Sequence, residues 1–210
     1  MDTPLAKQLT QNVKEFYETH GTAFSKTRHQ YWDVFEQIKS LCKPGDTLVD
    51  IGAGNGRLKD YLPEQTTYLG IEPSDSLRAN HPEIQKGQLP ELPLQSEIAD
   101  ITTCIAVLHH VPTIELDESI QELIRVTKTG GHLIATAWHL DPTDHEAIPN
   151  AAKGDVWVKW RAEGADAKRY VHLFTQDEWE KLWTHPCLEI IYIGFDEHQK
   201  NRMVVAQKTC

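Results

Sequence analysis

The sequence predicts an α/β protein with a doubly wound, seven-stranded and mostly parallel sheet that ends in an antiparallel strand and is preceded by N-terminal helices. From about residue 46, short apolar runs alternate with longer amphipathic ones, which is typical of βαβ units. A glycine-rich turn directly follows the first apolar run, and parallel sheets bind ligands beyond the carboxyl ends of their strands. The 210 residues fit one domain spanning 1–210.

The elements follow in the order that such a sheet requires. Two helical segments at about 5–20 and 31–42 come first, and we expect the segment 1–45 to lie on the substrate side. The predicted strands are 47–51, 68–72, 84–86, one within 98–108, 132–138, 188–195 and 202–207. Further helices are predicted over 55–62, 75–80 (capped by Ser74), 114–126 and 175–183 (capped by Thr175).

Residues 139–169 interrupt this alternation. They carry Pro142, Pro149, Gly154 and Gly164 and few aliphatic side chains. Loops of this length in a compact domain are usually functional or mobile. We therefore predict an insertion or lid over 139–169.

Composition limits the partners and the compartment. The net charge of −10 argues against a broad nucleic-acid surface. It leaves open a local basic rim, for which the candidates are Lys14, Lys26, Arg28, Lys153, Lys159, Arg161, Lys168 and Arg169. No apolar run has bilayer length and the N-terminus is polar, so we expect a cytoplasmic protein without a membrane partner. The four cysteines are scattered without a CxxC pair, so we expect neither a metal site nor a disulfide framework.

The turn after the first strand is the strongest chemical signal. Asp50 ends the strand, and Gly52, Gly54 and Gly56 let the backbone approach a ligand without Cβ interference. Glu72 ends the second strand, where a carboxylate can accept hydrogen bonds from both ribose hydroxyls. Taken singly, each acid can equally cap a helix or face solvent. Their joint spacing favours a nucleotide-like ligand.

Longer segments resemble a known family. LVDIGAGNGRL, YLGIEPS, ADITTCIAVLHHVPT and IQELIRVTKTGGHLIATAW resemble successive motifs of class I S-adenosylmethionine (SAM)-dependent methyltransferases, which have a Rossmann-like fold. AFSKTRHQYWDVF, DVWVKW and RYVHLF resemble segments of the tRNA wobble-uridine carboxymethyl methyltransferases. Those enzymes esterify 5-carboxymethyluridine in the anticodon loop.

The resemblance implies roles for the matching positions. The residues that would bind SAM are Asp50, Gly52, Gly54, Asn55, Glu72, Gln88, Leu89 and Ile105. Asp50 would hold the methionine ammonium. Gln88 stands where the family has an acid, and its amide oxygen can still accept a hydrogen bond from the adenine amine.

A carboxylate acceptor is ionised at its ordinary pKa and needs no general base, so the site should hold positioned donors. The catalytic candidates are Arg28, His29 and His109, and the substrate-binding candidates are Arg28, His110, Arg169, Tyr170 and His172. Structural alternatives stay open: Arg28 as a surface ion pair, His110 and His172 as packed histidines, Tyr170 as a core aromatic.

Three functions remain in competition. The first is a SAM-dependent tRNA wobble-uridine carboxyl methyltransferase, whose substrate would be the tRNA anticodon loop. For it the resemblance implies a small zinc-binding activator subunit as a partner. The second is a small-molecule O- or N-methyltransferase, which suits an acidic surface better. The third is a non-catalytic SAM-binding or scaffolding protein.

Overall fold

The computed structural model describes residues 1–26, 32–79, 81–162 and 165–210. Its strands are β1 Thr47–Ile51, β2 Thr67–Ile71, β3 Ile84–Gln85, β4 Ala99–Ile105, β5 Thr127–Trp138, β6 Glu146–Ala147, β7 Asp155–Ala162, β8 Ala165–His172, β9 Leu188–Phe195 and β10 Asn201–Lys208. Seven of them form the main sheet in the order β3-β2-β1-β4-β5-β10-β9, in which β10 runs antiparallel to both neighbours. The predicted fold class is confirmed. Strand β5 begins at Thr127, before the predicted start at 132, and contains Gly130 at a φ of 84°.

The helices pack on both faces of this sheet. They are α1 Thr3–Lys26, α2 Val34–Leu41, α3 Asp75–Arg78, α4 Leu116–Val126 and α5 Gln176–Leu182. Helix α2 covers one face with Val34, Phe35 and Ile38, while α4 and α5 bury the other face with side chains such as Leu123 and Trp179. Among the described residues no helix combines the length and the apolar character that crossing a bilayer requires.

Helix α1 extends beyond its predicted end at about residue 20 and continues to Lys26. Gly21 lies inside it and packs closely on α3, because a Cβ there would lie 2.8 Å from Ser76 Oγ. Tertiary packing on this side of the helix outweighs the low helix propensity of glycine. Ser74 caps α3 as predicted by accepting a hydrogen bond from Leu77 N, and Thr175 caps α5 in a capping box.

The segment 139–169 has more regular structure than its composition suggested. It carries β6, β7 and most of β8, which form a separate three-stranded antiparallel sheet. Val156 and Val158 alternate with Trp157 and Lys159, a period of two that the surrounding prolines and glycines obscured. Asn12 of α1 closes the outer edge of β8. That this insertion moves as a lid stays a prediction.

The expectation that no disulfide would form was wrong. Cys187 precedes β9 and Cys210 follows β10, and the two form a disulfide with a Cα–Cα distance of 5.0 Å. Because β9 and β10 are antiparallel neighbours, the two ends of the hairpin meet. Sequence spacing alone does not reveal that proximity.

Candidate active site

A pocket opens at the carboxyl ends of β1, β2 and β4 and is covered by α1. Its floor is the turn after β1, in which Gly52, Gly54 and Gly56 have φ values of 70°, 57° and 70°. Gly52 N and Ala53 N donate to Ile71 O at 2.7 and 3.0 Å, which fixes the turn against β2. A Cβ on Gly52 would lie 2.2 Å from Val107 Cγ2. Position 52 therefore requires glycine for its backbone conformation and for space.

Glu72 is buried just beyond β2 and is tied to the same turn. Its Oε2 accepts from Gly54 N at 3.0 Å and its Oε1 accepts from Ser74 N at 2.9 Å. Burial raises the pKa of this carboxyl to about 7, against the two backbone hydrogen bonds that lower it. A carboxylate has about four lone-pair sites. The backbone uses two of them, so Glu72 can accept further hydrogen bonds from a ligand hydroxyl in the pocket.

Asp50 is the second buried acid of the pocket. Tyr68 OH donates to its Oδ2 at 2.9 Å and Thr103 Oγ1 donates to its Oδ1 at 2.8 Å. Burial raises its pKa to about 6, opposed by these two hydrogen bonds and by the charge of Arg57. The carboxylate is thus held in one orientation, in which it can bind a cationic group.

The wall opposite the glycine turn is the segment that follows β4. Ala106 has a φ of 58°, which non-glycine residues adopt rarely and mostly where surrounding contacts enforce it. Here Ala106 N donates to both Thr136 O and Thr136 Oγ1, at 3.1 and 3.0 Å. This conformation places Ile105, Ala106 and Val107 along the pocket.

The structure brings most of the predicted cofactor residues together. Asp50, Gly52, Gly54, Asn55, Glu72 and Ile105 all line this pocket. Gln88 and Leu89 are not among its lining residues: Gln88 is exposed, and Leu89 is buried in the main core. Their contact with adenine remains a prediction.

Sequence reasoning missed several lining residues: Val13, Tyr17, Phe24, Phe35, Arg57 and Leu77. Val13, Tyr17 and Phe24 are spaced so that they share one face of α1, and this apolar stripe was the available signal. Arg57 lies with its guanidinium carbon 4.1 Å from the centroid of the Trp32 ring. No comparable periodicity marks Arg57 in the sequence.

The two adjacent histidines have different surroundings. His110 lines the pocket, and its Nδ1 lies 2.8 Å from Tyr170 O while its Nε2 lies 3.0 Å from Tyr17 OH. Because a carbonyl only accepts, Nδ1 carries the proton, and Tyr17 OH then donates to Nε2. Burial and the charge of Arg169 lower the pKa of His110 to about 3, so its ring is neutral.

His109 is fully buried behind the pocket wall rather than lining the pocket. Its ring stacks on Trp138 at a centroid distance of 4.4 Å, and its Nδ1 accepts from Trp138 N at 3.3 Å. Burial lowers its pKa well below the usual range. The catalytic role assigned to His109 stays a prediction, and Trp138 is its route of contact with the pocket.

The three remaining candidates lie on β8, at the base of the insertion. Tyr170 OH donates to Asp155 Oδ1 at 3.0 Å, and His172 Nδ1 donates to the same oxygen at 2.7 Å. The guanidinium carbon of Arg169 lies 4.6 Å from the Phe16 ring and 4.8 Å from the Trp138 ring. All three are buried and support the pocket from behind. Arg28 and His29 lie outside the described residues.

Comparisons with known proteins show what the chain as a whole is similar to. The family model of the methyltransferase domain matches residues 49–135. The chain is 26% identical over 233 residues to a Schizosaccharomyces pombe protein named tRNA (carboxymethyluridine(34)-5-O)-methyltransferase, covering 93% of this chain and 96% of that one. An Arabidopsis thaliana protein of the same name is 32% identical over 146 residues, covering 63% of this chain and 34% of that longer protein. A Methanosarcina mazei SAM-dependent methyltransferase structure superposes with a TM-score of 0.69 at 20% identity, covering 86% of this chain and 99% of that one.

The fold is therefore that of the Rossmann-like, class I SAM-dependent methyltransferases, and the chain is similar to their methyltransferase domain over residues 49–135. The glycine turn lets the backbone approach a ligand closely. The two buried acids suit SAM, because SAM carries a ribose and an ammonium group that carboxylates can bind. Within that class the chain resembles the tRNA carboxymethyluridine methyltransferases.

Proposed function

We propose that this protein transfers the methyl group of SAM to the carboxylate of 5-carboxymethyluridine at the wobble position of tRNA, forming the methyl ester. The observation that carries the proposal is the hydrogen bonding of His110. Its Nδ1–H is committed to Tyr170 O and its Nε2 to Tyr17 OH. The imidazole that lines the pocket thus has no lone pair available to remove a proton from an acceptor.

The described acids of the pocket have another task in this proposal, since Asp50 would hold the ammonium group of SAM and Glu72 its ribose. Their orientations are fixed for that task by Tyr68 and Thr103 at Asp50 and by two backbone N–H groups at Glu72. A hydroxyl or a protonated amine must lose a proton before it is methylated, whereas a carboxylate is already an anion at neutral pH. The described site therefore favours an acceptor that arrives ionised.

The chain's own residues would act by binding and positioning. SAM, when bound, supplies a methyl group on a positively charged sulfur that is already activated for transfer. Glu72 would hold its ribose, and Asp50 its ammonium group. Arg28 and His29 would hold one carboxylate oxygen of the acceptor so that the other faces the methyl group, and a bidentate guanidinium suits this task.

His109 and His110 would contribute through the side chains that they hold in place. His110 keeps Tyr17 oriented at the pocket, and His109 supports Trp138. Arg169, Tyr170 and His172 would maintain the wall through which the acceptor nucleoside is bound. The S. pombe and Arabidopsis relatives support this assignment of the acceptor.

The relatives also bear on partners and compartment. A tRNA substrate, as in the names of these relatives, would place the protein in the cytoplasm. A chain of similar fold, with a TM-score of 0.67 at 12% identity, was solved in a complex described as containing the Haloferax volcanii Trm112 methyltransferase activator. We include a small activator subunit of this kind as a proposed partner.

The second candidate function is O- or N-methylation of a small molecule. The net charge of −10 favours it, because an acidic surface repels RNA. It shares the cofactor pocket and differs only in the acceptor.

The test is transfer of labelled methyl from SAM to total tRNA from a strain that lacks this modification, with and without an activator subunit, followed by nucleoside analysis. We expect the methyl ester of 5-carboxymethyluridine to accumulate. No ester in either condition, from a protein that binds SAM, would refute the proposed acceptor. Arg28→Ala should abolish transfer and leave SAM affinity unchanged; an equal loss of SAM affinity would make Arg28 structural.

A further inference from the structure

The β7–β8 hairpin places two lysines face to face. Lys159 and Lys168 are directly opposite each other in the antiparallel ladder. Lys168 O accepts from Asn12 Nδ2 at 3.4 Å and Tyr170 N donates to Asn12 Oδ1 at 3.0 Å, so these backbone groups point away from β7. Lys159 and Lys168 therefore form a non-hydrogen-bonded pair, the kind in which opposite side chains lie closest.

This pair opposes the stability of the hairpin, since like charges directly across a ladder repel each other. Both lysines are exposed. Lys168 Nζ lies 3.6 Å from Glu146 Oε2, but both side chains are about half exposed and such pairs contribute little. Two cations are thus held together at the surface of a protein whose net charge is −10.

An aromatic ring lies on the same face of the hairpin. Trp157 is two residues before Lys159 and opposite Tyr170, so its side chain is on the same side as both lysines. The Lys168 ammonium lies 4.9 Å from the centroid of the Trp157 ring. Cations beside a partly exposed aromatic ring are the elements with which proteins bind single-stranded nucleic acid.

The hairpin is fixed next to the pocket. Asp155 holds Tyr170 and His172 at its base, as described above. Arg169, the residue after Lys168, packs on Trp138, which lines the pocket. Lys168 precedes Arg169 on the same strand, and its side chain points to the opposite face, so the two lysines lie on the exposed face of a hairpin whose other face packs against the pocket wall.

We propose that Lys159, Lys168 and Trp157 form a surface that binds the phosphodiester backbone of the RNA nucleotides next to the methyl acceptor. The inference rests on the proposed function and specifies how an acidic protein contacts RNA. The lysines act as point charges on phosphates, and Glu146 competes with the phosphate for Lys168.

The test compares wild type with three variants of the whole chain. They are the double variant Lys159→Gln and Lys168→Gln, the single variant Glu146→Gln, and Lys43→Gln as the matched control. Lys43 is exposed before β1, at the amino end of the sheet and away from the pocket. Binding to an anticodon stem-loop RNA is measured from 50 to 200 mM salt with S-adenosylhomocysteine present.

For the double lysine variant we expect the affinity for the stem-loop to fall on the order of tenfold at low salt. The slope of log K against log salt should become shallower by about 1.4, because two contacts with single-strand phosphates are lost. Glu146→Gln should bind the RNA more tightly than wild type, and Lys43→Gln should bind it equally. Binding of S-adenosylhomocysteine, measured by calorimetry, should be unchanged in all three.

An unchanged slope and affinity in the double variant, with intact ester formation by wild type, would overturn this surface and leave the proposed function standing. Binding to polyglutamate, a probe for an acidic protein partner, is measured with the same proteins. A double lysine variant that loses binding to polyglutamate and keeps binding to the RNA would also overturn the RNA-binding surface, in favour of an acidic protein partner. Failure of wild type to form the ester would instead refute the proposed function, whatever the slopes.

Discussion

Replacement of Glu72 by glutamine should separate cofactor binding from folding. The substitution removes the negative charge and one of the two oxygens that would accept hydrogen bonds from the ribose of SAM. A hydrogen bond to a charged group contributes about 1.5–3 kcal/mol. The Kd for SAM should therefore rise about 10- to 150-fold.

Two opposing effects on stability follow from the same contacts. Burial raises the pKa of Glu72 from 4.5 to about 7, so keeping it ionised above pH 7 costs about 3 kcal/mol, which glutamine removes. The glutamine NH2 then faces either Gly54 N–H or Ser74 N–H and leaves one donor unsatisfied, which costs about 1–3 kcal/mol. The free energy of unfolding at pH 8 should thus change by less than about 2 kcal/mol.

The assay is calorimetric titration with SAM at pH 8, paired with urea unfolding of the same samples. Glu122→Gln is the matched control, because Glu122 also accepts from a backbone N–H (Leu92 N, 2.8 Å) but lies on α4 away from the pocket. An unchanged Kd for a folded Glu72→Gln protein would refute the assignment of this carboxylate to the ribose.

Three further outcomes are expected. Gly52→Ala should abolish SAM binding and lower the free energy of unfolding by about 1–3 kcal/mol, because the new Cβ would lie 2.2 Å from Val107 Cγ2 and the residue has a φ of 70°. SAM binding by this variant in calorimetry would contradict the close approach at position 52. The pKa values of Asp50 and Glu72, about 6 and about 7, mean that the folded protein keeps protons on these acids that the unfolded chain releases, so the two acids lower the free energy of unfolding as the pH rises from about 4 to 7. His109 and His110, whose pKa values are lowered, act in the opposite direction, so the prediction concerns the difference between proteins: relative to a double Asp50→Asn and Glu72→Gln variant, wild type should lose stability over this range in urea titrations, and a constant difference would contradict it. Reduction of the Cys187–Cys210 disulfide should lower the free energy of unfolding by about 3 kcal/mol, whereas Cys42→Ser should not; equal stability with and without reductant would exclude this contribution.

Much of the sheet followed from local patterns. The strands at 47–51, 68–72 and 188–195 are apolar runs bounded by turn residues, and Ser74 and Thr175 are caps with a simple sequence signature. The insertion was less accessible, because β7 and β8 pair only with each other and with β6, in a stretch whose glycines and prolines suggested irregular backbone. Local composition does not report such pairing.

The cofactor side of the site was also predictable, since Asp50, the glycines and Glu72 lie at fixed places on a regular sheet. The acceptor side was not. Which of two adjacent histidines faces the pocket depends on the turn after β4, where Ala106 takes a left-handed conformation that alanine rarely adopts. The coverage by α1 depends on long-range contacts, such as the hydrogen bond from Ser74 Oγ to Glu18 Oε2 at 3.0 Å.

The most direct test of the central claim is a crystal structure of the protein with S-adenosylhomocysteine. We expect both ribose hydroxyls within hydrogen-bond distance of the Glu72 carboxylate, the ammonium group beside Asp50, and the sulfur between the Ile105–Val107 wall and His110. A ligand bound away from Glu72 and the 52–56 turn, or no binding by the folded protein, would contradict the assignment of this pocket to SAM.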